Sequence, residues 1–164
     1  MTATKPTRKD IAEFYRLGLL VGLCEPSSVA LWADSIVAAE QSPHIAFIEL
    51  CCGGSQPASA VQTLLADVPG QVTDGLPAHM LLGHASRLVT SRSFTPEQLM
   101  RRLYGISSLE TFPERIYDEL VRFDDEYSLA RDGAYGTLAE ADHDFSTFLA
   151  DYDSYAPNTS TGNA

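Results

Sequence analysis

The stretch PSSVALWADSIVAAE, from Pro26 to Glu40, carries the pattern that decides the fold. Its apolar residues recur at intervals of three and four, which places their side chains on one face of an α-helix. Proline suits the first turn of a helix, where its missing N–H costs no hydrogen bond. The stretch therefore predicts an amphipathic helix that begins at Pro26, with these residues facing the core: Val29, Trp32, Ala33, Ile36 and Val37.

The same pattern recurs along the chain. Prolines at positions 43, 57, 77, 96 and 113 each open a stretch with helical apolar spacing, at intervals of 14–20 residues. Further helical patterns begin at Arg8 and at Leu138. The sequence thus predicts an all-α fold of about eight short helices in one compact array of helical hairpins. Helix pairs repeat every ~35 residues, so a solenoid-like arrangement of the hairpins is the alternative.

Two stretches need separate treatment. HIAFIELCC, from His44 to Cys52, also alternates in a way that fits a strand. We favour a helix, because the chain has no second strong strand that could pair with it. The C-terminal YAPNTSTGNA is polar and predicts disorder. The expected organisation is a single helical domain over residues 1–154 and a disordered tail over residues 155–164.

Acidic residues are concentrated in the last third of the chain. Residues 1–106 hold eight basic and nine acidic residues, whereas residues 107–164 hold three basic and 13 acidic ones. Nucleic-acid binding depends on cationic contacts to phosphate, and anionic membranes also attract cationic proteins. We therefore expect neither nucleic acid nor membrane as a partner. An acidic field instead attracts basic proteins, cationic ligands or divalent metals.

The sequence also favours a cytoplasmic location. The N-terminal MTATKPTRKD lacks the apolar segment of a secretory signal, and the longest apolar run, Leu17 to Cys24, is far too short to cross a bilayer. The three cysteines, of which Cys51 and Cys52 are adjacent, fit reduced thiols better than a disulfide framework.

No motif pairs a nucleophile with a base. His79 and His84 are five residues apart and diverge on a helix, which disfavours zinc binding by the pair. Cys51 and Cys52 are interpreted as buried structural thiols, followed by two glycines that end the element. We therefore expect no enzymatic activity, no catalytic residue, no metal and no cofactor. The alternative is a small metal- or thiol-dependent enzyme that uses these histidines or the Cys51 region.

The acids of VRFDDEYSLARDG, from Val121 to Gly133, belong to a helix whose inner side carries Phe123 and Tyr127. Together with the next helix, this helix predicts an acidic outer face, which is either a solubilising surface or a binding face. Tyr117, Tyr127 and Tyr135 are candidate aromatic anchors. The candidate partner-binding residues are Asp118, Glu119, Asp124, Asp125, Glu126, Tyr127, Asp132, Tyr135, Glu140, Asp144 and Asp151.

One part of the sequence resembles a known class of proteins. FYRLGLL, from Phe14 to Leu20, followed by Leu23, Val29, Trp32 and Ala33, resembles the opening of small all-helical bacterial immunity proteins of polymorphic toxin systems. The resemblance implies neutralisation of a cognate toxin, often a basic nuclease, by an acidic surface. Our leading hypothesis is a non-enzymatic bacterial binding protein, monomeric or a small homo-oligomer, that inhibits a basic partner. A helical scaffold or assembly subunit is a further alternative.

Overall fold

The computed structural model describes residues 5–110 and 112–158. Within these ranges the chain forms eight α-helices and two short 3-10 turns, with no strand, so the predicted all-α fold is confirmed. Within residues 44–52, the favoured helix is present as Ile45–Cys51, with His44 as its cap and Cys52 at the start of a 3-10 turn. None of the described helices is both long and apolar enough to cross a bilayer. The helices are α1 (Arg8–Leu20), α2 (Pro26–Ala39), α3 (Ile45–Cys51), α4 (Ala58–Ala66), α5 (Leu76–Thr90), α6 (Pro96–Ser107), α7 (Glu114–Arg131) and α8 (Leu138–Ala150).

The described residues form two compact units, one over residues 5–77 and one over residues 78–158 without position 111. The single domain over residues 1–154 and the solenoid-like arrangement both stay predictions. Of the tail predicted as disordered, residues 155–158 are described. Tyr155 lies in a 3-10 turn, and Ala156 is buried. Residues 159–164 lie outside the described part.

The N-terminal unit is built on two helix pairs, in which α1 packs against α4 and α2 packs against α3. Phe14 and Phe47 are fully buried in its core. Trp32, the only tryptophan of the chain, has its ring 5.4 Å from that of Tyr15 and 5.6 Å from that of Phe47. Trp32 therefore joins the buried aromatic groups of α1 and α3, and its fluorescence should report on the folding of this unit.

A buried carboxylate holds the start of α1. Asp10 is 0% exposed and accepts hydrogen bonds from the backbone N–H and hydroxyl of Thr7, at 2.8 and 2.7 Å. It also accepts from the backbone N–H and hydroxyl of Thr73, at 2.6 and 3.0 Å. Thr7 and Asp10 form a capping box, while Thr73 belongs to the segment between α4 and α5. Asp10 thus connects parts of the unit that are distant in sequence.

The chain reverses closely after α1. The N–H groups of Leu23 and Cys24 both donate to the carbonyl of Gly18, at 2.8 and 3.1 Å. Gly22 has a φ of 69°, in the left-handed region that favours glycine. As a result, the Cys24 side chain lies on Gly18, and a β-carbon at position 18 would collide with its sulfur.

The Gly18→Ala substitution should therefore destabilise the N-terminal unit by about 1–2 kcal/mol, because overpacking outweighs the better helix propensity of alanine. Urea unfolding followed by Trp32 fluorescence would measure the change. Gly105→Ala on α6 is the control, since a β-carbon there would have no neighbour within 4 Å. A Gly18→Ala variant as stable as the native protein would show that Cys24 moves away at no cost.

The C-terminal unit is centred on α6, α7 and α8, which pack against one another. Leu103, Leu120 and Phe145 are each fully buried and represent the contribution of the three helices to the core. At the surface, Glu97 of α6 accepts hydrogen bonds from Arg101 and from Arg131 at the end of α7, each at 2.6 Å. The contact with Arg131 joins the start of α6 to the end of α7.

Candidate functional site

Helix α7 has a buried side and an exposed side. Its buried residues, Ile116, Leu120, Phe123 and Tyr127, recur at intervals of three or four. The ring of Phe123 meets that of Phe145 from α8 edge-on, with centroids 5.0 Å apart. Because this packing fixes the rotation of α7 about its axis, the acids of the helix lie towards solvent or at the margin of the core.

The connection between α7 and α8 projects an aromatic ring into solvent. Gly133 and Gly136 have φ angles of 67° and 66°, which residues with side chains rarely adopt. The N–H of Ala134 donates to the carbonyl of Leu129 at 2.9 Å, so the helix ends in a Schellman-type turn at Gly133. Between the two glycines stands Tyr135, whose side chain is 76% exposed.

Helix α8 begins with a threonine cap. The Thr137 hydroxyl accepts from the backbone N–H of Glu140 at 3.2 Å and donates to the Glu140 carboxylate at 2.9 Å. Thr137 therefore caps the helix, and the Glu140 carboxylate binds the hydroxyl of Thr137. His143 and Asp144 follow Glu140 by three and four residues, so all three lie on the same side of α8.

An open groove of about 730 Å³ runs along α7 and α8. We call this groove the acidic groove. Three carboxylates, one histidine and one exposed aromatic ring line it, and no lysine or arginine does. Four of its residues, Glu126, Tyr135, Glu140 and Asp144, were predicted from the sequence. The full lining is Glu126, Ala130, Tyr135, Gly136, Thr137, Ala139, Glu140, His143 and Asp144.

The three carboxylates differ in how far they are already engaged. Glu126 accepts from Arg122 at 3.0 Å, and Arg122 also pairs with Glu119 at 2.9 Å. Within the described residues, Asp144 has no ion pair or hydrogen bond. Since exposed ion pairs stabilise by only about 0–1 kcal/mol, the groove keeps a negative field available to a ligand.

A buried tyrosine lies beneath this surface. Tyr127 is 0% exposed, and its hydroxyl donates to the Asp142 carboxylate at 2.8 Å. Burial raises the pKa of Tyr127, and the hydrogen bond to Asp142 raises it further. The prediction that Tyr127 contacts a partner is therefore wrong. The residue instead joins α7 to α8 and supports the wall of the groove.

We expect the Tyr127→Phe substitution to lower the free energy of unfolding by about 1.5 kcal/mol, because it removes one buried hydrogen bond to a charged group. Thermal unfolding monitored by circular dichroism would detect the loss. Tyr135→Phe is the matched control, since the Tyr135 ring is largely exposed, and it should leave stability unchanged. Equal stability of the two variants would mean that the contact with Asp142 contributes nothing.

The other predicted residues lie outside the acidic groove. Tyr117 is also outside its lining, and its side chain is partly exposed. The acidic residues among them contribute to the long-range electrostatic field of the unit but do not line the groove. Asp118, Asp125, Asp132 and Asp151 are exposed, whereas Glu119 and Asp124 are half-buried.

His143 lines the groove but was not among the candidate binding residues predicted from the sequence. Its spacing of three from Glu140, on a helix that begins with a threonine cap, was an available signal. Ala130, Gly136 and Ala139 were also missed. Small residues form part of a groove only where larger neighbours stand around them, and the sequence does not show which residues are neighbours in space.

The cysteine thiols differ in exposure and in acidity. Burial raises the pKa of Cys24 to about 12 and that of Cys51 to about 11, with Asp34 contributing to the second shift. Both thiols are therefore poor nucleophiles at neutral pH. Cys52 is exposed, so the prediction that it is buried was wrong. Over residues 5–110 and 112–158, no three His, Cys, Asp or Glu side chains are grouped so as to hold a metal ion.

Comparison with known proteins leaves the acidic groove as the main guide to function. No family model, curated protein or solved structure matches the chain.

Proposed function

We propose that this chain is a non-enzymatic acidic binding protein that captures a basic protein partner in the acidic groove. The observation that carries the proposal is the grouping of Glu126, Glu140 and Asp144 around one cleft with an exposed tyrosine. A plain solubilising surface needs neither a cleft nor an exposed aromatic ring. The grouping therefore favours binding over the solubilising alternative.

The chemistry of the groove suits a segment rich in lysine or arginine. Carboxylates attract such a segment over a long range and mainly increase its association rate. Tyr135 adds a ring on which a guanidinium or ammonium group can stack, an interaction of about 0.5–1 kcal/mol at an exposed site. Tyrosine is also common among residues that dominate interface energies. Charge and aromatic contact thus favour the same kind of ligand.

Within this class, we propose an immunity- or antitoxin-like inhibitor of a basic toxin. The support is the resemblance of the Phe14–Ala33 region to immunity proteins, together with the acidity of residues 107–164. A bound inhibitor of this kind would act by covering the cationic surface of the toxin. No catalytic group is needed for this role.

Affinity capture from a bacterial lysate tests the proposal. The bait would be the native chain, a groove variant (Glu126→Gln, Glu140→Gln, Asp144→Asn) or a control variant (Glu49→Gln, Asp67→Asn, Asp74→Asn). Both variants raise the net charge from −11 equally, and the three control positions are exposed residues of the N-terminal unit. A basic protein retained by the native and control baits but lost from the groove variant is the expected result. Equal retention by all three baits would contradict the proposal.

An assembly subunit is the second candidate, because the N-terminal unit exposes large apolar side chains. Leu31 on α2 and Ile45 and Ile48 on α3 are 60%, 59% and 45% exposed. Helices α2 and α3 pack against each other, so these residues belong to one helix pair. Sedimentation velocity distinguishes the candidates, since a stable large homo-oligomer would favour assembly and a monomer would favour the inhibitor.

A further inference from the structure

The segment that follows α8 crosses α5 and packs against the surface of that helix. Tyr152 and Tyr155 place their rings 5.4 and 5.0 Å from the ring of His79. One turn further along α5, a β-carbon at Gly83 would come within 2.5 Å of the Tyr152 carbonyl oxygen. The same β-carbon would come within 2.6 Å of the Ala156 nitrogen. Only glycine permits the backbone of the segment to lie so close to the helix.

A third contact continues along the same side of α5. Arg87 donates to the carbonyl oxygens of Pro157 at 2.7 Å and of Ala156 at 3.4 Å. His79, Gly83 and Arg87 are spaced four residues apart, so they form one stripe on the helix. The stripe therefore offers an aromatic contact, a close backbone contact and a cationic clamp, and residues 151–158 use all three.

We propose that residues 151–158 form a strap on α5 that is released when His79 takes up a proton. Histidine is the side chain whose charge ordinarily changes near neutral pH. In the strapped state the His79 ring is half-buried and contacts two tyrosine rings, which also lie next to each other. A proton there must be accommodated with little water, whereas in the released state the imidazolium is hydrated.

The surroundings of His79 supply no compensating partner. Within the described part of the chain, no carboxylate forms an ion pair with His79. Tyrosine rings attract cations, but burial still lowers the pKa of His79 below its ordinary 6.5. The charged groups around the two tyrosines and the stripe are Arg87 of α5, Arg115 and Glu119 of α7, and Asp151 and Asp153 of the strap.

The direction of the pH effect follows from linkage. The released state binds the His79 proton more readily, because its pKa is the higher of the two. The strapped state is therefore favoured above pH ~6.5 and loses its advantage as the pH falls towards the lowered pKa. Below the lowered pKa both states are protonated, and the loss is complete. Each unit of pKa difference corresponds to a roughly tenfold change in the release equilibrium.

Two measurements on the full chain test the strap. An NMR titration of the His79 ring should give a pKa below 6.5 in the native protein. In Gly83→Ala, where the new β-carbon displaces the strap, the pKa should return to about 6.5. Gly105→Ala should match the native protein, because its β-carbon would touch nothing within 4 Å. A native pKa at or above 6.5, or an equal pKa in all three proteins, would overturn the proposal.

Hydrogen exchange of the Tyr155 and Ala156 amides, corrected for intrinsic rates, follows the opening of the strap, in which these amides donate to the carbonyls of Tyr152 and Asp153 at 2.9 and 3.2 Å. Protection in the native protein should fall between pH 7.5 and 5.5, by at most about tenfold, because the released-state pKa of about 6.5 lies only one unit above the lower pH. His79→Phe should keep protection constant over this range, while Gly105→Ala, whose β-carbon would touch nothing within 4 Å, should behave like the native protein. Constant native protection, or an unchanged pH response in His79→Phe, would overturn the role of His79.

Discussion

Replacing Asp10 with alanine should lower the free energy of unfolding of the N-terminal unit by about 3 kcal/mol. The substitution removes a buried carboxylate with four hydrogen bonds from Thr7 and Thr73. Hydrogen bonds to charged groups contribute about 1.5–3 kcal/mol each, and buried donors left without an acceptor add a desolvation penalty. Because alanine also leaves a small void, little of this loss is recovered by relaxation.

Urea unfolding followed by Trp32 fluorescence would measure this loss. The control is Glu13→Ala on the same helix, where Glu13 pairs with Arg16 at 2.6 Å near the surface. That change should cost less than about 1 kcal/mol. An Asp10→Ala variant as stable as the control would show that water replaces the carboxylate at the start of α1.

The same carboxylate should make the N-terminal unit sensitive to acid. Burial alone would raise the pKa of Asp10, but the hydrogen bonds from Thr73 and Thr7 outweigh burial and hold the pKa below its ordinary 3.8. A lowered folded-state pKa stabilises the fold above pH ~4, and this contribution is lost as the pH falls through the folded pKa. Asp10→Asn should therefore show a smaller decrease in stability than the native protein below pH 4.

The groove variant defined above should bind a lysine-rich peptide about 10- to 100-fold more weakly than the native chain at low salt. Each of the three carboxylates is expected to contribute about 0.5–1 kcal/mol to a cationic ligand in this partly exposed cleft. The loss should appear mainly in the association rate, and added salt should reduce the difference between the two proteins.

The control variant in the N-terminal unit makes this prediction specific. It carries the same net charge as the groove variant, so a purely global field would weaken binding equally in both. Stopped-flow fluorescence with a labelled decalysine peptide would give both rate constants. Equal weakening by the two variants would assign the effect to net charge, and the groove would then have no special role.

The helices could be predicted because their signals are local. In α2, Val29, Ala33 and Ile36 are all buried, as the spacing from Pro26 required. The cap of α6 at Thr95, with its reciprocal bonds to Gln98, was likewise visible in four consecutive residues. A signal contained in one turn or on one face of a helix does not depend on how the rest of the chain folds.

The groove could be predicted only in part. The sequence placed Glu126, Glu140 and Asp144 on two neighbouring helices, but it could not bring them together. Their grouping depends on the rotation of α7 and on the two left-handed glycines that flank Tyr135. The error about Tyr127 was avoidable, because its spacing of four from Phe123 already placed it on the buried face of the helix.

The contacts that hold separated segments together were not predictable. Asp10 looked like an ordinary first-turn acid, because its partner Thr73 is 63 residues away. The strap on α5 was hidden for the same reason, since Gly83 and Ala156 carry no signal of their proximity. Residues 155 and 156 instead resembled the start of a disordered tail. Polar and small residues acquire these roles only through tertiary structure.

Chemical-shift mapping tests the central claim most directly. The isotope-labelled full chain would be titrated with a decalysine peptide, and backbone amide shifts would be followed at low and physiological salt. We predict saturable shifts that are largest at residues 126–144, including Tyr135, Glu140 and Asp144, and that are absent in the groove variant. Shifts spread evenly over the acidic residues 107–164, or equally large in the groove variant, would contradict the assignment of the acidic groove as the binding site.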